Sequence, residues 1–279
     1  MKISGFTIVS NAVKFNYPVL ESIRSILPIC DEFIVNVGDC QDGTLDLIRS
    51  IGSPKIRIIQ NQWDMSQGFQ VLSQQTNLAL RECTGDWAFY LQSDEVIHEA
   101  DLYKLKFWMR YYLNRKEVDA LRFWWFHFYG SFWRYRVDLG WYQKQDRIIR
   151  NNGQVESHGD AYGFRRIDGK PLRTRLTFCC LYHYGWVNSN EMMQKRYDNA
   201  TAIGYMDKKS SISTIGDYGD LNRFPAYLGT HPDVMKETVA QHRISREDFD
   251  TIKKKQWWNP YLWFRLRFKT WKRGKVRII

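Results

Sequence analysis

The sequence predicts an α/β fold with a mostly parallel central sheet flanked by helices. Strand-like and helix-like segments alternate over the first hundred residues, and such alternation favours parallel strands joined by helical crossovers. The segment 87–91 is nearly all apolar and too short for a typical helix, as expected of a strand covered on both faces. Hydrophobic residues make up 44% of the 279 residues, enough for a sizeable core.

The elements of this first part can be placed one by one. In chain order we predict a strand at 2–10, a helix at 16–27, a strand at 32–37, a helix at 44–51, a strand at 55–60, a helix at 68–83 and a strand at 86–92. The first helix shows the pattern clearly, because Val19, Ile23 and Ile26 recur at helical spacing. In parallel sheets ligands bind at the carboxyl ends of the strands, so the loops after these strands are candidate sites.

The rest of the chain differs in composition. Aromatic, strand-like segments are predicted at 120–136, 141–151 and 177–186, then a helix from 189 to about 207 and a loop at 210–232. We therefore expect residues 1–100 and 101–208 to form two halves of one domain, with a mixed, aromatic-rich second half. Residues 209–279 are expected to be a loop and a basic, aromatic C-terminal extension with a helical tail.

Composition narrows the class of protein. No run reaches the roughly 18 apolar residues of a membrane span, and the apolar run at the N-terminus is too short for a secretory signal, which together predict a cytoplasmic protein. The five cysteines include no C-x-x-C pair, which argues against a disulfide framework or a zinc ribbon. Lys and Arg outnumber Asp and Glu by 41 to 30. This excess favours an anionic partner, although a protein can simply be basic.

Acidic residues follow two of the predicted strands. The segment "VNVGDCQDGTLDLI" places Asp39 and Asp42 after the second strand, where a carboxylate can accept hydrogen bonds from a base or a ribose. The alternative is an ordinary strand-to-helix turn. The segment "DWAFYLQSDEVI" places Asp94 and Glu95 directly after the fourth strand. Two adjacent acids are tolerated beside a cation, and Mg²⁺ or Mn²⁺ with substrate phosphates is a usual occupant. The alternative is that both acids cap the next helix.

These two segments resemble those of the family 2 glycosyltransferases, which have the GT-A fold. "GDCQDGT" stands where the family has a "DDGSTDGT"-like segment, and "CTGDWAFYLQSDE" stands where it has its D-x-D-like metal motif. The closest subset is the bacterial lipopolysaccharide-core and cell-surface polysaccharide transferases. The resemblance covers residues 3 to 100 best. It implies a nucleotide-sugar-binding half at 1–100 and an acceptor-binding half at 101–208.

The resemblance also implies site residues and a cofactor. Nucleotide contacts are expected at Ser10, Asn11, Asp39, Asp42, Gln75 and Ser93. A Mn²⁺ or Mg²⁺ ion is expected at Asp94, Glu95 and His183. His183, in "YHYGW", could instead be an ordinary core histidine. Lys195 and Arg196 either approach the diphosphate or belong to a surface helix. Two departures, Gln92 for the first acid of the metal motif and Gln75 for an arginine, leave open a non-catalytic nucleotide-sugar binder.

A transferase that inverts the sugar also needs a base for the acceptor hydroxyl. The segment "VESHGDAYGF" offers Asp160 as first candidate and Glu156 as second, in a polar turn after a strand. It resembles the region where the family carries an acid that follows a histidine.

The tail from Lys253 has a stripe of aromatic residues at helical spacing with basic residues beside it. The aromatic residues are Tyr261, Phe264, Phe268 and Trp271. This pattern suits an interfacial helix on an anionic membrane, and the alternative is packing on the protein's own core.

Together these features predict a cytoplasmic, peripherally membrane-bound transferase in cell-surface glycan synthesis. Its donor would be a UDP or GDP sugar and its acceptor a saccharide or a lipid-linked saccharide. A sugar-1-phosphate nucleotidyltransferase would need a glycine-rich basic loop after the first strand, which "VSNAVKFNYPV" lacks. A nucleic-acid partner is not expected, because the aromatic runs are too continuous to be exposed.

Overall fold

The computed structural model describes residues 1–137, 141–204, 218 and 221–242. The predicted tail helix with its aromatic stripe lies outside the described residues, as do residues 210–217, 219 and 220 of the predicted loop at 210–232. No helix in the described part is both long and apolar enough to cross a membrane.

Eleven strands and six α-helices are formed by these residues. The strands are β1 (Ile3–Val9), β2 (Glu32–Gly38), β3 (Ile56–Asn61), β4 (Trp87–Tyr90), β5 (Glu95–Ile97), β6 (Ala120–Tyr129), β7 (Tyr135–Arg136), β8 (Lys144–Arg150), β9 (Val155–His158), β10 (Gly163–Arg166) and β11 (Thr174–Trp186). The helices are α1 (Val19–Ile26), α2 (Thr44–Arg49), α3 (Gln70–Arg81), α4 (Leu102–Tyr111), α5 (Asn190–Ala202) and α6 (Lys236–Gln241).

Nine of the strands form one sheet, in the order β3-β2-β1-β4-β8-β6-β11-β5, with β7 paired to β6. The pairs among β3, β2, β1 and β4 are parallel, as is β6 with β11, while β8 runs antiparallel to both of its neighbours. Strands β9 and β10 form a separate hairpin. The predicted α/β fold with a central sheet flanked by helices is confirmed.

The core lies on both faces of this sheet. On one face, Val19, Ile23 and Ile26 of α1 and Leu105 and Met109 of α4 are buried against the strands. On the other face, Ala79 and Leu80 of α3 pack on side chains from β1, β2 and β4. The sheet continues from β4 into β8, so residues before and after 100 share one sheet.

Two local features differ from the sequence expectations. The acids after β4 do not cap a helix, because Glu95 begins the short strand β5, which pairs antiparallel with β11. Helix α4 was not predicted. Its exposed face carries Tyr103 and Phe107, so apolar residues lie on both faces and blur the amphipathic pattern.

Candidate active site

A cavity of about 680 Å³ opens at the carboxyl ends of the parallel strands. One side, here called the strand-end wall, comes from the loops after β1, β2, β3 and β4; its members include Ser10, Asn11, Asp39, Trp63, Gln92, Ser93 and Asp94. The other side, here called the aromatic wall, comes from β6, the segment before β8, the turn before β10, β11 and α5; its members include Trp125, His127, Trp141, Tyr142, Asp160, Tyr162, His183, Trp186 and Arg196.

Hydrogen bonds between neighbouring residues and strand ends hold the strand-end wall in place. The Ser93 hydroxyl donates to the carbonyl of Ile8 at 3.1 Å, which ties the loop after β4 to the end of β1. Asn11 has a positive φ of 52°, a left-handed conformation that asparagine tolerates better than most residues. Its amide donates to the Ser10 hydroxyl at 3.0 Å. Asp39 is exposed to the cavity at the end of β2.

Two of the expected nucleotide contacts lie elsewhere. Asp42 holds the turn before α2, accepting hydrogen bonds from the amide of Lys14 at 2.7 Å and from the amide and hydroxyl of Thr44 at 3.1 and 2.6 Å. Gln75 is buried under the sheet, where its side-chain oxygen accepts from the amide of Asn36 at 2.9 Å. Neither residue lines the cavity. Their geometry assigns them to the support of the fold.

Asp94 and His183 meet in the middle of the cavity. Asp94 Oδ2 lies 3.4 Å from Nε2 of His183. Gly185 makes room for the pair, because a Cβ atom there would collide with the Asp94 carboxylate and lie 2.8 Å from His183 Nε2. Burial by itself raises the pKa of Asp94, but the charges of His183 and Arg196 outweigh it, and the pKa lies below its usual value. Asp94 is therefore an anion at neutral pH.

His127 sets the tautomer of His183. Nε2 of His127 lies 2.6 Å from the carbonyl oxygen of Tyr142. A carbonyl oxygen can only accept a hydrogen bond, so the nitrogen donates. Burial, reinforced by the neighbouring His183, lowers the pKa of His127 to about 3, so the ring is neutral and carries its single proton on Nε2. Its Nδ1 then accepts from Nδ1 of His183, 3.1 Å away. The hydrogen bond to His127 thus occupies Nδ1 of His183 and leaves its Nε2 directed at Asp94.

Glu95, unlike Asp94, is part of a buried ion pair. It is fully buried, and its two carboxylate oxygens accept hydrogen bonds from Nε and Nη2 of the equally buried Arg147 at 2.8 and 2.9 Å. The amide of Gln92 donates to the same carboxylate at 3.0 Å. The cation beside Glu95 is thus a guanidinium of this chain. Glu95 does not line the cavity, and this geometry gives no support to the expected metal-ligand role.

Arg147 and Gln92 connect the two walls. A further nitrogen of Arg147 donates to the carbonyl of Tyr162 at 3.0 Å, and the side-chain amide of Gln92 donates to the carbonyl of Ala161 at 3.3 Å. An aspartate at position 92 has no proton to donate to that carbonyl. The glutamine that departs from the family's pattern therefore has a structural use here.

Asp160 lies on the aromatic wall, in the turn that Arg147 and Gln92 hold. Its carboxylate accepts from the amide of Tyr162 at 3.3 Å, and the turn is made by Gly159 and Ala161, both at positive φ. Glu156, the second candidate base, pairs with Arg165 at 2.9 Å on the hairpin surface and does not line the cavity. Of the two, only Asp160 lines the cavity.

Helix α5 presents its two basic residues differently. Arg196 is buried and lines the cavity, where it donates to the carbonyls of Phe15, Gly185 and Asn16 at 2.8, 2.6 and 2.7 Å. Lys195 pairs with Glu191 at 2.8 Å on the exposed side of the helix. Arg196 therefore places positive charge near Asp94, while Lys195 belongs to the helix surface.

The sheet and its strand-end cavity define an α/β ligand-binding protein with an acidic, histidine-containing site. Residues 8–182 match the model of the family described as Glycosyl transferase family 2. Because this match spans well over half of the chain, the chain belongs to that family, and the resemblance seen in its motifs is confirmed.

The chain is also similar to several solved structures. TarS from S. aureus is 17% identical, with a TM-score of 0.43, and the match covers 70% of this chain and 39% of that one. TarS residues 1–349 in complex with UDP is 16% identical, with a TM-score of 0.44 and coverage of 73% and 65%. A complex of glucosyl-3-phosphoglycerate synthase from Mycobacterium tuberculosis with Mn²⁺, UDP and glucosyl-3-phosphoglycerate is 19% identical, with a TM-score of 0.33 and coverage of 44% of each chain.

The chain spans less than two thirds of the length of each of these solved proteins. The search of curated proteins found no match.

Proposed function

We propose that this protein is an inverting glycosyltransferase that moves a sugar from a nucleoside diphosphate, UDP or GDP, to an acceptor hydroxyl with the help of Mn²⁺ or Mg²⁺. Family membership supports the reaction class. The observation that carries the proposal is the pair of Asp94 and His183, which the loop after β4 and strand β11 bring together in the cavity with Nε2 of the imidazole facing the carboxylate.

This pair fits a divalent cation. Nε2 of His183 and a carboxylate oxygen of Asp94 lie 3.4 Å apart, and each is a metal ligand when it carries no proton. Neighbouring ligands of an octahedral Mg²⁺ ion lie roughly 3 Å apart. No group of three His, Cys, Asp or Glu side chains within the described residues forms a complete metal site. Asp94 and His183 would therefore share the ion with oxygens of the donor diphosphate, as is usual for magnesium. A bound ion supplies positive charge that stabilises the departing diphosphate.

The strand-end wall is suited to the nucleotide. Asp39 at the end of β2 can accept from a base N–H or a ribose hydroxyl, and Ser10, Asn11 and Ser93 offer small polar groups beside it. In this arrangement the base lies toward Asp39 and the diphosphate toward Asp94. Arg196 adds positive charge on the diphosphate side without direct contact being required.

The aromatic wall is suited to the acceptor. Asp160 lines the cavity on this wall and would take the proton of the acceptor hydroxyl as the anomeric carbon is attacked. Tyr142 and Tyr162 are stacked with ring centroids 5.5 Å apart and ring planes 8° apart, a flat surface beside Asp160 that suits a sugar ring. A saccharide acceptor, free or lipid-linked, in cell-surface glycan synthesis is the acceptor class we propose. Peripheral membrane contact through the tail at 253–279 remains part of this prediction.

A thermal-shift titration tests the donor and metal assignments together. UDP and GDP are added to the wild type, Asp94→Ala and His183→Ala, with and without Mn²⁺. We expect a nucleoside diphosphate to stabilise the wild type more when Mn²⁺ is present, since ligands that bind the folded state raise its stability. Both variants should lose the Mn²⁺-dependent part.

The matched control is Asp46→Ala, which removes an exposed carboxylate of α2 that pairs with Arg49 at 3.2 Å. It should respond like the wild type. An unchanged Mn²⁺-dependent shift in Asp94→Ala would show that the metal assignment is wrong. A wild type that binds nucleotide with metal but hydrolyses or transfers no sugar with any acceptor tested would favour a nucleotide-sugar-binding protein.

A further inference from the structure

An aromatic patch lies on the surface of α4 and the adjoining part of β11, away from the cavity. It comprises Tyr103, Phe107, Tyr111 and Phe178, which are 83%, 52%, 47% and 71% exposed. Single exposed apolar residues are normal, but four large rings grouped on one surface require an explanation.

The patch follows from the way α4 packs. Leu105 and Met109 are buried and face the sheet, so the opposite face of the helix points outward. Tyr103, Phe107 and Tyr111 are spaced four residues apart and therefore lie along that outward face. The rings of Phe107 and Tyr111 are stacked, with centroids 6.0 Å apart and planes 17° apart. They form a continuous apolar strip along two turns of the helix.

Phe178 extends the strip from the neighbouring strand. The indole N–H of Trp108 donates to the carbonyl of Thr177 at 3.0 Å, which holds α4 against this part of β11. The pairing of β11 with β6 shifts register between Leu176 and Cys180, and Phe178 lies inside this irregularity with a positive φ of 61°. That backbone conformation is uncommon for a bulky residue. It turns the phenylalanine into solvent beside the helix.

Basic residues lie on the same face. Lys106 and Arg110 follow Tyr103 and Phe107 by three residues each, so both lie beside the aromatic strip on the helix surface. No acidic side chain among the described residues forms an ion pair with either one. Arg115 lies over the Tyr111 ring, 4.3 Å from its centroid, and adds a third positive charge at the end of the strip. The patch thus combines exposed rings with unneutralised positive charge.

We propose that the aromatic patch is a docking surface for an anionic membrane. Tyr and Phe rings bury their apolar surface at the boundary between headgroups and acyl chains, while Lys and Arg beside them attract acidic headgroups. A protein partner or a second copy of this chain would also cover the rings, but the charge beside them favours an acidic surface. The proposal does not involve residues 253–279 and does not depend on the proposed glycosyl transfer.

Vesicle flotation of the full chain tests the docking. Vesicles of phosphatidylcholine alone are compared with vesicles that also contain phosphatidylglycerol. Each basic residue near an anionic surface contributes about 5-fold to binding. The variant Lys106→Glu/Arg110→Glu should therefore lower binding to acidic vesicles on the order of 25-fold or more. Tyr103→Ser/Phe107→Ser should lower it about 10-fold, because apolar burial is lost.

Matched controls change the same kinds of residue elsewhere. Arg24→Glu/Arg81→Glu alters the net charge equally, and Ile167→Ser/Leu228→Ser removes two other exposed apolar side chains that are 53% and 52% exposed. Both should bind within about twofold of wild type if local contact matters more than net charge. Melting temperatures of all variants show whether they are folded.

Two results would overturn the proposal. One is equal binding of wild type and folded patch variants to acidic vesicles, which would assign any membrane contact to another surface. The other is a concentration-dependent dimer of the wild type, seen by light scattering, that Tyr103→Ser/Phe107→Ser abolishes while vesicle binding is absent. That result would identify the patch as an interface between copies of this chain.

Discussion

The two walls of the cavity are built in different ways. The strand-end wall consists of loops that directly follow β1 to β4, and small polar side chains such as Ser93 hold them with bonds to neighbouring strand ends. The aromatic wall gathers residues from segments far apart in sequence, and its histidines reach each other only because β6 pairs with β11. Local sequence therefore determines the strand-end wall, whereas the register between distant strands determines the aromatic wall.

The walls meet through a buried ion pair. Glu95 accepts from the Gln92 amide on the strand-end side, and Arg147 donates to the Tyr162 carbonyl on the aromatic side. Both charged groups are fully buried and bonded to each other at two points. We infer that this pair fixes the distance between Asp94 and Asp160, and breaking it is the most direct way to disturb the relation between the walls.

The largest expected effect is that of Arg147→Met. Removing one partner of a buried ion pair leaves an uncompensated charge, which costs about 3–5 kcal/mol of unfolding free energy. Urea denaturation measures this loss. The double variant Glu95→Leu/Arg147→Met should be more stable than Arg147→Met alone, because no buried charge is left unpaired. A loss below about 1 kcal/mol for Arg147→Met would mean that the pair does not join the walls energetically.

Asp160→Asn tests the chemical role of the aromatic wall. If Asp160 takes the proton of the acceptor hydroxyl, kcat should fall by about 10²-fold or more, while donor binding in the thermal-shift titration stays near wild type. Asparagine keeps the size and the acceptor oxygen that bonds the Tyr162 amide. Glu156→Gln is the matched control, since its carboxylate pairs with Arg165 outside the cavity. Near-normal turnover of Asp160→Asn would assign the base elsewhere.

The difference between the walls also explains which features of the site the sequence could predict and which it could not. The four parallel strands and the acids after β2 and β4 were visible because apolar runs and the turns that end them are local patterns. The partner of Glu95 was not visible, because Arg147 reaches it from β8, 52 residues later in the chain. The available signal was a basic residue at the centre of the strand-like segment "KQDRIIR".

The role of His127 was hidden for the same reason. In the sequence it is one member of the aromatic run "FWWFHFY", and nothing in that run indicates a partner. The register that pairs His127 with His183 arises from the parallel contact of β6 and β11. Asp42 and Gln75 show the converse case. Their residue types and positions fit a nucleotide site, but Thr44 and Asn36 use their side chains within the fold.

A smaller effect is expected from His127→Phe. This change removes the hydrogen bond between His127 and His183, a contact that exists only through the register of β6 and β11. Phenylalanine keeps an aromatic ring at this position, but His183 loses the nitrogen that accepts its hydrogen bond and fixes its tautomer. Loss of such an orienting partner typically weakens metal affinity by about 10–100-fold. Titration of Mn²⁺ in the presence of UDP measures this change. His127→Gln, whose amide can both donate and accept, should lose less, and equal losses in the two variants would contradict the orienting role.

The smallest expected effect is on stability, and it comes from a carboxylate at the start of β2, one of the strands that carry the strand-end wall. Glu32, at the start of β2, accepts hydrogen bonds from the Thr84 amide at 2.7 Å and from Lys2 at 3.2 Å, and these tie β2 to the segments that precede β1 and β4. Burial on its own raises the pKa of Glu32, but hydrogen bonds from Ser4, Thr84 and Lys2 outweigh it and lower the pKa from 4.5 to about 2.

Because the folded-state pKa is the lower one, Glu32 stabilises the protein above about pH 4.5, and this contribution disappears as the pH falls to about 2. Glu32→Gln should therefore have a lower melting temperature than wild type at pH 7, and the difference should shrink between pH 4.5 and 2. Glu82→Gln is the matched control, since its half-exposed carboxylate pairs with Arg57 at the surface. A difference between Glu32→Gln and wild type that stays constant down to pH 2 would show that lost packing, and not the titration of this carboxylate, accounts for it.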